Sequence, residues 1–305
     1  MRDRSLLHLL VLSGIIMLGG CGPEDYTPSE ARDAIVNRGY EVNERGYATA
    51  IDSAKPKLAR IYAQASIEER KLGFYPVVRA AKRGRPEVLR AILEEIETVP
   101  DTSKAYQFEK AGAVGYAAYE GNLESVKVLT ENDGEASETA LWMAARGGQT
   151  EVADYLLKKN APISPNVLSQ AAVVGGPDIL RRLLSAKDTI RSNKPLKMAV
   201  LDGDSVAVTE LSQHGAPVNP DTVFTEAPVF EALCGGRAYA DMEITRQLLL
   251  EHDASPQPLI KARQVVMETR KRPRMSLDDR RDLYGCEGWL QSDRVMAIIA
   301  QSRRN

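Results

Sequence analysis

Side chains that could do chemistry are few in this chain and far apart. Acid–base and nucleophilic catalysis both need such groups within hydrogen-bond reach of one another. Of the three histidines, His8 lies in an N-terminal apolar stretch, while His214 and His252 stand at equivalent places in successive segments. Helices stacked ~8–10 Å apart would hold those two imidazoles too far from each other to share a metal ion. Each falls instead at a helix end, where a partial positive charge is favoured. No Gly-x-Ser-x-Gly, His-Glu-x-x-His, Cys-x-x-Cys or phosphate-loop pattern occurs. Asp202-Gly203-Asp204 offers two carboxylates but lacks the remaining oxygen ligands of a calcium loop. The inventory points away from an enzyme, a metal, a cofactor or a small-molecule substrate.

The cysteines carry a different chemistry. Arg2 and Arg4 precede an apolar run from Leu6 to Leu18, too short to span a bilayer as a helix, and Leu18-Gly19-Gly20-Cys21 closes it. That is the layout of a secretory signal, and its ending resembles a bacterial lipobox. The resemblance implies that residues 1–20 are removed and that Cys21 becomes the lipidated first residue, the small residues at 19 and 20 letting the peptidase reach the backbone. Plain secretion with an incidental Cys21 is the alternative. Gly22, where a retention signal would have Asp, implies sorting to the inner leaflet of the outer membrane by the rule of enteric bacteria. Residues 21–28 form a short tether of ~25 Å at most, so the folded part is expected close to the membrane surface in the periplasm. Cys234 and Cys286 remain; in an oxidising compartment they either form a disulfide or stay two buried thiols.

The rest of the chain must build the elements that position any site. Of its 305 residues 43% are apolar and only 6% aromatic, which favours helices over a sandwich or barrel. A net charge of −2 offers no global field to recruit nucleic acid.

A repeat organises the chain. The units read AAKRGRPEVLRAIL around Gly84, AAYEGNLESVKVLT around Gly121, AARGGQTEVADYLL around Gly148, AAVVGGPDILRRLL around Gly175 and AVLDGDSVAVTELS around Gly203. A pair of small residues precedes each glycine, and an aliphatic recurs eight after it at Ile92, Leu129, Leu156, Leu183 and Leu211. Small pairs let two helices approach closely, the glycine permits the turn between them, and aliphatics at helical spacing form the buried stripe of the second helix. Pro86 and Pro177 fall where a missing N–H is harmless at a helix start.

These units resemble the ankyrin repeat. Thr139-Ala140-Leu141, Lys194-Pro195-Leu196 and Tyr75-Pro76-Val77 stand at its opening turn, and Gln213-His214-Gly215-Ala216-Pro217-Val218-Asn219 at its close. The resemblance covers 75–219 well and extends, in degenerate form, to 29–256. It implies an all-α, ankyrin-like helical-repeat solenoid with atypical terminal repeats. Residues 257–305 are expected to form a helical C-terminal cap. Glycine spacings of 37, 27, 27 and 28, against the family's 33, imply that the β-hairpin finger between repeats is truncated or replaced. The long connection 94–115 is expected to project as a loop.

The family's function is protein binding, and its first helices line a concave side. Positions after the small pairs are then the candidate partner-binding residues: Lys82, Arg83, Tyr119, Glu120, Arg146, Val173, Val174, Leu201 and Asp202, with Trp142 nearby. An aromatic and arginine cluster suits a binding hot spot, although Trp142 and Val173 can equally pack between repeats. From Glu94 to Glu138 the net charge is −8, and from Lys261 to Arg281 it is +5. Either run is a solvated helical face, or a surface for a basic partner in the first case and for anionic lipid in the second. The expectation is a non-catalytic, protein-binding lipoprotein whose partner, in the most specific form, is a cognate toxin acting in the periplasm, such as a secreted lipase. An envelope assembly or stress-tolerance scaffold is the alternative.

Overall fold

The computed structural model describes residues 25–66, 76–97, 104–187, 189–219, 227–234, 242–269, 290 and 292–304. Cys21 with its leader, Cys286 and the stretch 270–289 of the expected cap lie outside them. Every regular element among the described residues is helical. In chain order these are α1 (Pro28–Asn37), α2 (Glu44–Asp52), α3 (Pro56–Ser66), α4 (Pro76–Lys82), α5 (Pro86–Glu97), α6 (Lys104–Glu120), α7 (Leu123–Glu131), α8 (Glu138–Gly147) and α9 (Thr150–Lys158). They continue as α10 (Pro165–Gln170), α11 (Pro177–Ser185), α12 (Lys194–Asp202), α13 (Ser205–Gln213), α14 (Pro228–Cys234), α15 (Met242–Glu251), α16 (Gln257–Thr269) and α17 (Asp293–Ser302).

The helices pair and then stack in two rows. Each even-numbered helix from α2 to α14 packs on the odd-numbered helix that follows it. A first-helix row runs from α2 through α4, α6, α8, α10, α12 and α14 to α16. A second-helix row runs from α1 through α3, α5, α7, α9 and α11 to α13, and α15 packs on α17 at its far end. The flanking segments that keep only traces of the motif therefore fold as further pairs in the same stack.

Local sequence sets the helix ends. Ser137 Oγ accepts from the Ala140 N–H, Ser164 Oγ from Asn166 and Val167, and Asp204 Oδ1 from Val206 and Ala207, each satisfying amides that the first turn leaves unpaired. Thr27 and Glu30 form a reciprocal capping box at α1. Proline begins α5 and α11, as its missing N–H allows.

The five recurrent aliphatics, Ile92, Leu129, Leu156, Leu183 and Leu211, are all fully buried, at roughly 1.5–3 kcal/mol each in transfer terms. The first-helix row packs differently, through buried Ala80, Ala81, Ala117, Ala118, Ala144, Ala145, Ala171, Ala172 and Ala199. Successive first helices approach closely at Gly147 and Gly175. A Cβ on Gly147 would lie 2.1 Å from the Tyr119 carbonyl oxygen, and one on Gly175 2.6 Å from that of Ala145.

Two expectations need correction. Gly175 does not make the turn of its unit: the last turn of α10 widens into a π-turn over Ala171–Gly175, and Gly176 takes the positive φ of 83°. Gly175 is held instead by its packing on α8. The connection 94–115 does not project as a loop, because α5 runs to Glu97 and α6 begins at Lys104. No strand occurs among the described residues, and short connections stand between α7 and α8, α9 and α10, and α11 and α12 where the family has its fingers, in line with the glycine spacings. At the end of the well-kept repeats, Asn219 spans two units: its Nδ2 donates to the Asp253 carbonyl at 2.9 Å and its Oδ1 accepts from the Ser255 N–H.

A candidate partner-binding face on the first-helix row

Side chains four apart on a helix share a face. On α8 that rule aligns Glu138, Trp142 and Arg146; on α10, Asn166 and Gln170; on α12, Lys194 and Met198. Between these helices lies an open cleft of about 420 Å³, walled by Glu138, Thr139 and Trp142 from α8, Asn166, Ser169 and Gln170 from α10, Val173 from the π-turn that follows it, and Lys194 and Met198 from α12. Two of its walls are held by internal bonds. Lys194 Nζ donates to Asn166 Oδ1 at 2.7 Å and Ser169 Oγ donates to the Pro165 carbonyl at 2.7 Å, fixing two walls relative to each other.

Beside the cleft the guanidinium of Arg146 lies between two aromatic rings. Its Cζ is 5.4 Å from the Trp142 ring centroid and 5.9 Å from that of Tyr119, within range of cation–π attraction. One helix further along, Lys82 Nζ stands 5.7 Å over the Tyr116 ring and 3.8 Å from Glu120 Oε1. Tyr116 and Tyr119 are 43% and 38% exposed, which is unusual for aromatics in so apolar a row and marks this strip as available.

Charge at the near end is balanced by a small network. Arg79 Nε donates to Asp52 Oδ1 at 3.0 Å, and Arg83 Nε approaches the same carboxylate at 3.3 Å. The Arg79 bond holds the Asp52 carboxyl below its ordinary range, and the same bond raises Arg79.

The candidate residues thus divide. Tyr119, Trp142 and Arg146 come together as one stack, and Trp142 also walls the cleft with Val173. Lys82 and Glu120 form an ion pair, and Arg83 turns back to Asp52. Val174, Leu201 and Asp202 neither line the cleft nor enter the stack. Tyr116 and the cleft walls other than Trp142 and Val173 were not anticipated. Their signal lay one or two helical turns upstream of the chosen positions.

His214 Nδ1 bonds the Glu210 carbonyl of its own helix end at 2.8 Å. Among the described residues no three His, Cys, Asp or Glu side chains gather in a way that could hold a metal ion. Cys234, at the end of α14, is disulfide-bonded. No helix among the described residues is long and apolar enough to cross a membrane.

A row of helix pairs, each closing its apolar side on the next, defines a helical-repeat scaffold. Residues 77–169 and 114–194 match the family model for ankyrin repeats, given as three copies. The crystal structure of the human ASB11 ankyrin repeat domain is similar, with a TM-score of 0.52 and 17% identity over 67% of this chain and 96% of that one. The chain therefore carries ankyrin repeats and has an all-helical ankyrin-repeat solenoid fold. No curated protein gives a significant match.

Proposed function

We propose that this protein is a non-catalytic binding module that grips its partner along the first-helix row, with Tyr119, Arg146 and Trp142 as the anchor. The observation that carries the reading is the exposed stack beside the cleft. Aromatic and arginine side chains dominate binding energy where they can be desolvated together, and an adjoining concavity gives a partner segment somewhere to enter. Ankyrin repeats elsewhere in proteins act as interaction modules, which supports the same conclusion.

The finer reading is an immunity-type inhibitor. Lipidation at Cys21 would hold the module at the inner leaflet of the outer membrane, where it would bind and neutralise a toxin acting in the periplasm, such as a secreted lipase. Support comes from the signal-like residues 1–20, the closing Leu18-Gly19-Gly20-Cys21 and a tether too short to let the module wander. Anchoring raises the inhibitor's effective concentration where such a toxin attacks. The disulfide at Cys234 agrees with an oxidising compartment, and Cys286 is its proposed partner.

The test is to direct the product of the neighbouring gene to the periplasm with and without this chain. Protection by the wild type that is lost in Trp142→Ala supports the reading. Absence of both protection and complex rejects it, and an envelope-assembly operon around the gene would point to a scaffold instead.

A further inference from the structure

The chemistry of the partner's contacting segment follows from an imbalance in this strip, given that the first-helix row is the binding face. The nearby cations at α4 already have an acid, since Lys82 has Glu120 and Arg79 and Arg83 share Asp52, and Lys194 across the cleft is bonded to Asn166. Arg146 has none among the described residues, and none of its N–H donors is used within them. Two rings hold its guanidinium in place while its edge stays exposed. A planar fork held in this way loses little freedom on pairing and matches a carboxylate through two parallel hydrogen bonds.

We infer that Arg146 receives a side-chain carboxylate from an extended segment of the partner, and that an apolar side chain two residues away enters the cleft against Trp142. The spacing comes from two rises. Four residues of helix separate Arg146 from Trp142, about 6 Å along the axis. An extended chain returns a side chain to the same face every second residue, about 6.6 Å apart. An acidic–x–apolar pattern in either chain direction therefore fits the strip. The amides of Asn166 and Gln170 stand along the cleft walls, where they can bond the segment's main chain. One exposed guanidinium beside the rings suits a single carboxylate.

Selection of random heptapeptides displayed on phage against the full chain tests the inference. The expected pool is enriched in Asp or Glu two positions from an apolar residue, and selection on Arg146→Gln keeps the apolar preference but loses the acid. A synthetic member of the pool should then bind the wild type roughly tenfold or more tighter than its Glu→Gln counterpart, and the two should bind Arg146→Gln alike. Arg146 is exposed, so the variant keeps the fold. Apolar peptides that need Trp142 but show no acidic preference would overturn the carboxylate while leaving the binding face intact. If no peptide is enriched, or the enriched peptides bind Trp142→Ala as well as wild type, the inference and the binding face fail together.

Discussion

Leu156, Leu183 and Leu211 recur at one offset along the second-helix row and are fully buried, whereas the first-helix row meets its neighbours through Ala144, Ala145, Ala171 and Ala172. Leucine fills space between helices; alanine brings them together. Small contacts on one side leave the other side of each first helix free to carry large residues, and there Tyr116, Tyr119, Trp142 and Arg146 stand exposed or half-exposed. The second row holds the stack together, and the first row displays large and charged side chains.

If that division is right, the rows should respond unequally to substitution. The largest effect is expected from Leu183→Ala, which would remove a fully buried side chain and lower stability by about 2–5 kcal/mol in urea denaturation, leaving partner affinity of the folded fraction unchanged. In the first row the sensitive change is an added methyl group. Gly147→Ala should cost about 1–3 kcal/mol, because the new Cβ would meet the Tyr119 carbonyl at 2.1 Å and push α8 from α6. Gly115→Ala sharpens the point on the facing helix. There the Cβ would meet Met143 Cγ at 3.5 Å, an ordinary contact, and the better helix propensity should raise stability by about 0.5–1 kcal/mol. Equal losses at both glycines would show that helix approach is not what selects glycine at Gly147.

The smallest effect concerns the charge network at the near end. Asp52 has a lowered pKa because Arg79 donates to it, so its contribution is present above the unfolded carboxylate value of about 3.9 and fades as pH falls through the lower folded value. Denaturation curves of the wild type and Asp52→Asn should therefore converge below about pH 4. The gap at neutral pH should be modest, since the pair is partly exposed to solvent.

Much of the fold was legible because repetition is a strong signal. The small pairs and the aliphatics eight after each glycine named the two helices of a unit, and every one of those aliphatics is buried. Flanking pairs such as α2 with α3 were harder to read, since Ala54 takes the positive φ that glycine takes in the clearer units and only packing against a neighbour reveals the pair. The π-turn at Ala171–Gly175 left no local mark: Gly175 and Gly176 suit a turn equally well in sequence, and contact with the Ala145 carbonyl decides between them.

The grouping of the candidate residues was legible in outline. Tyr119, Trp142 and Arg146 were named from their places after the small pairs, but a one-dimensional pattern could not say that one guanidinium would lie between the rings of two different helices. The cleft required three helices at once. Its walls at Asn166, Gln170, Lys194 and Met198 are ordinary residues until α8, α10 and α12 are set side by side.

The most direct measurement is calorimetric affinity for the partner recovered with the full chain, comparing Trp142→Ala on the first row with Val206→Ala, an exposed apolar residue on the second. Trp142→Ala should weaken binding by about thirtyfold or more, as expected of a hot spot, and Val206→Ala should leave it unchanged. Full affinity in Trp142→Ala together with a loss in Val206→Ala would place recognition on the wrong row and contradict the account.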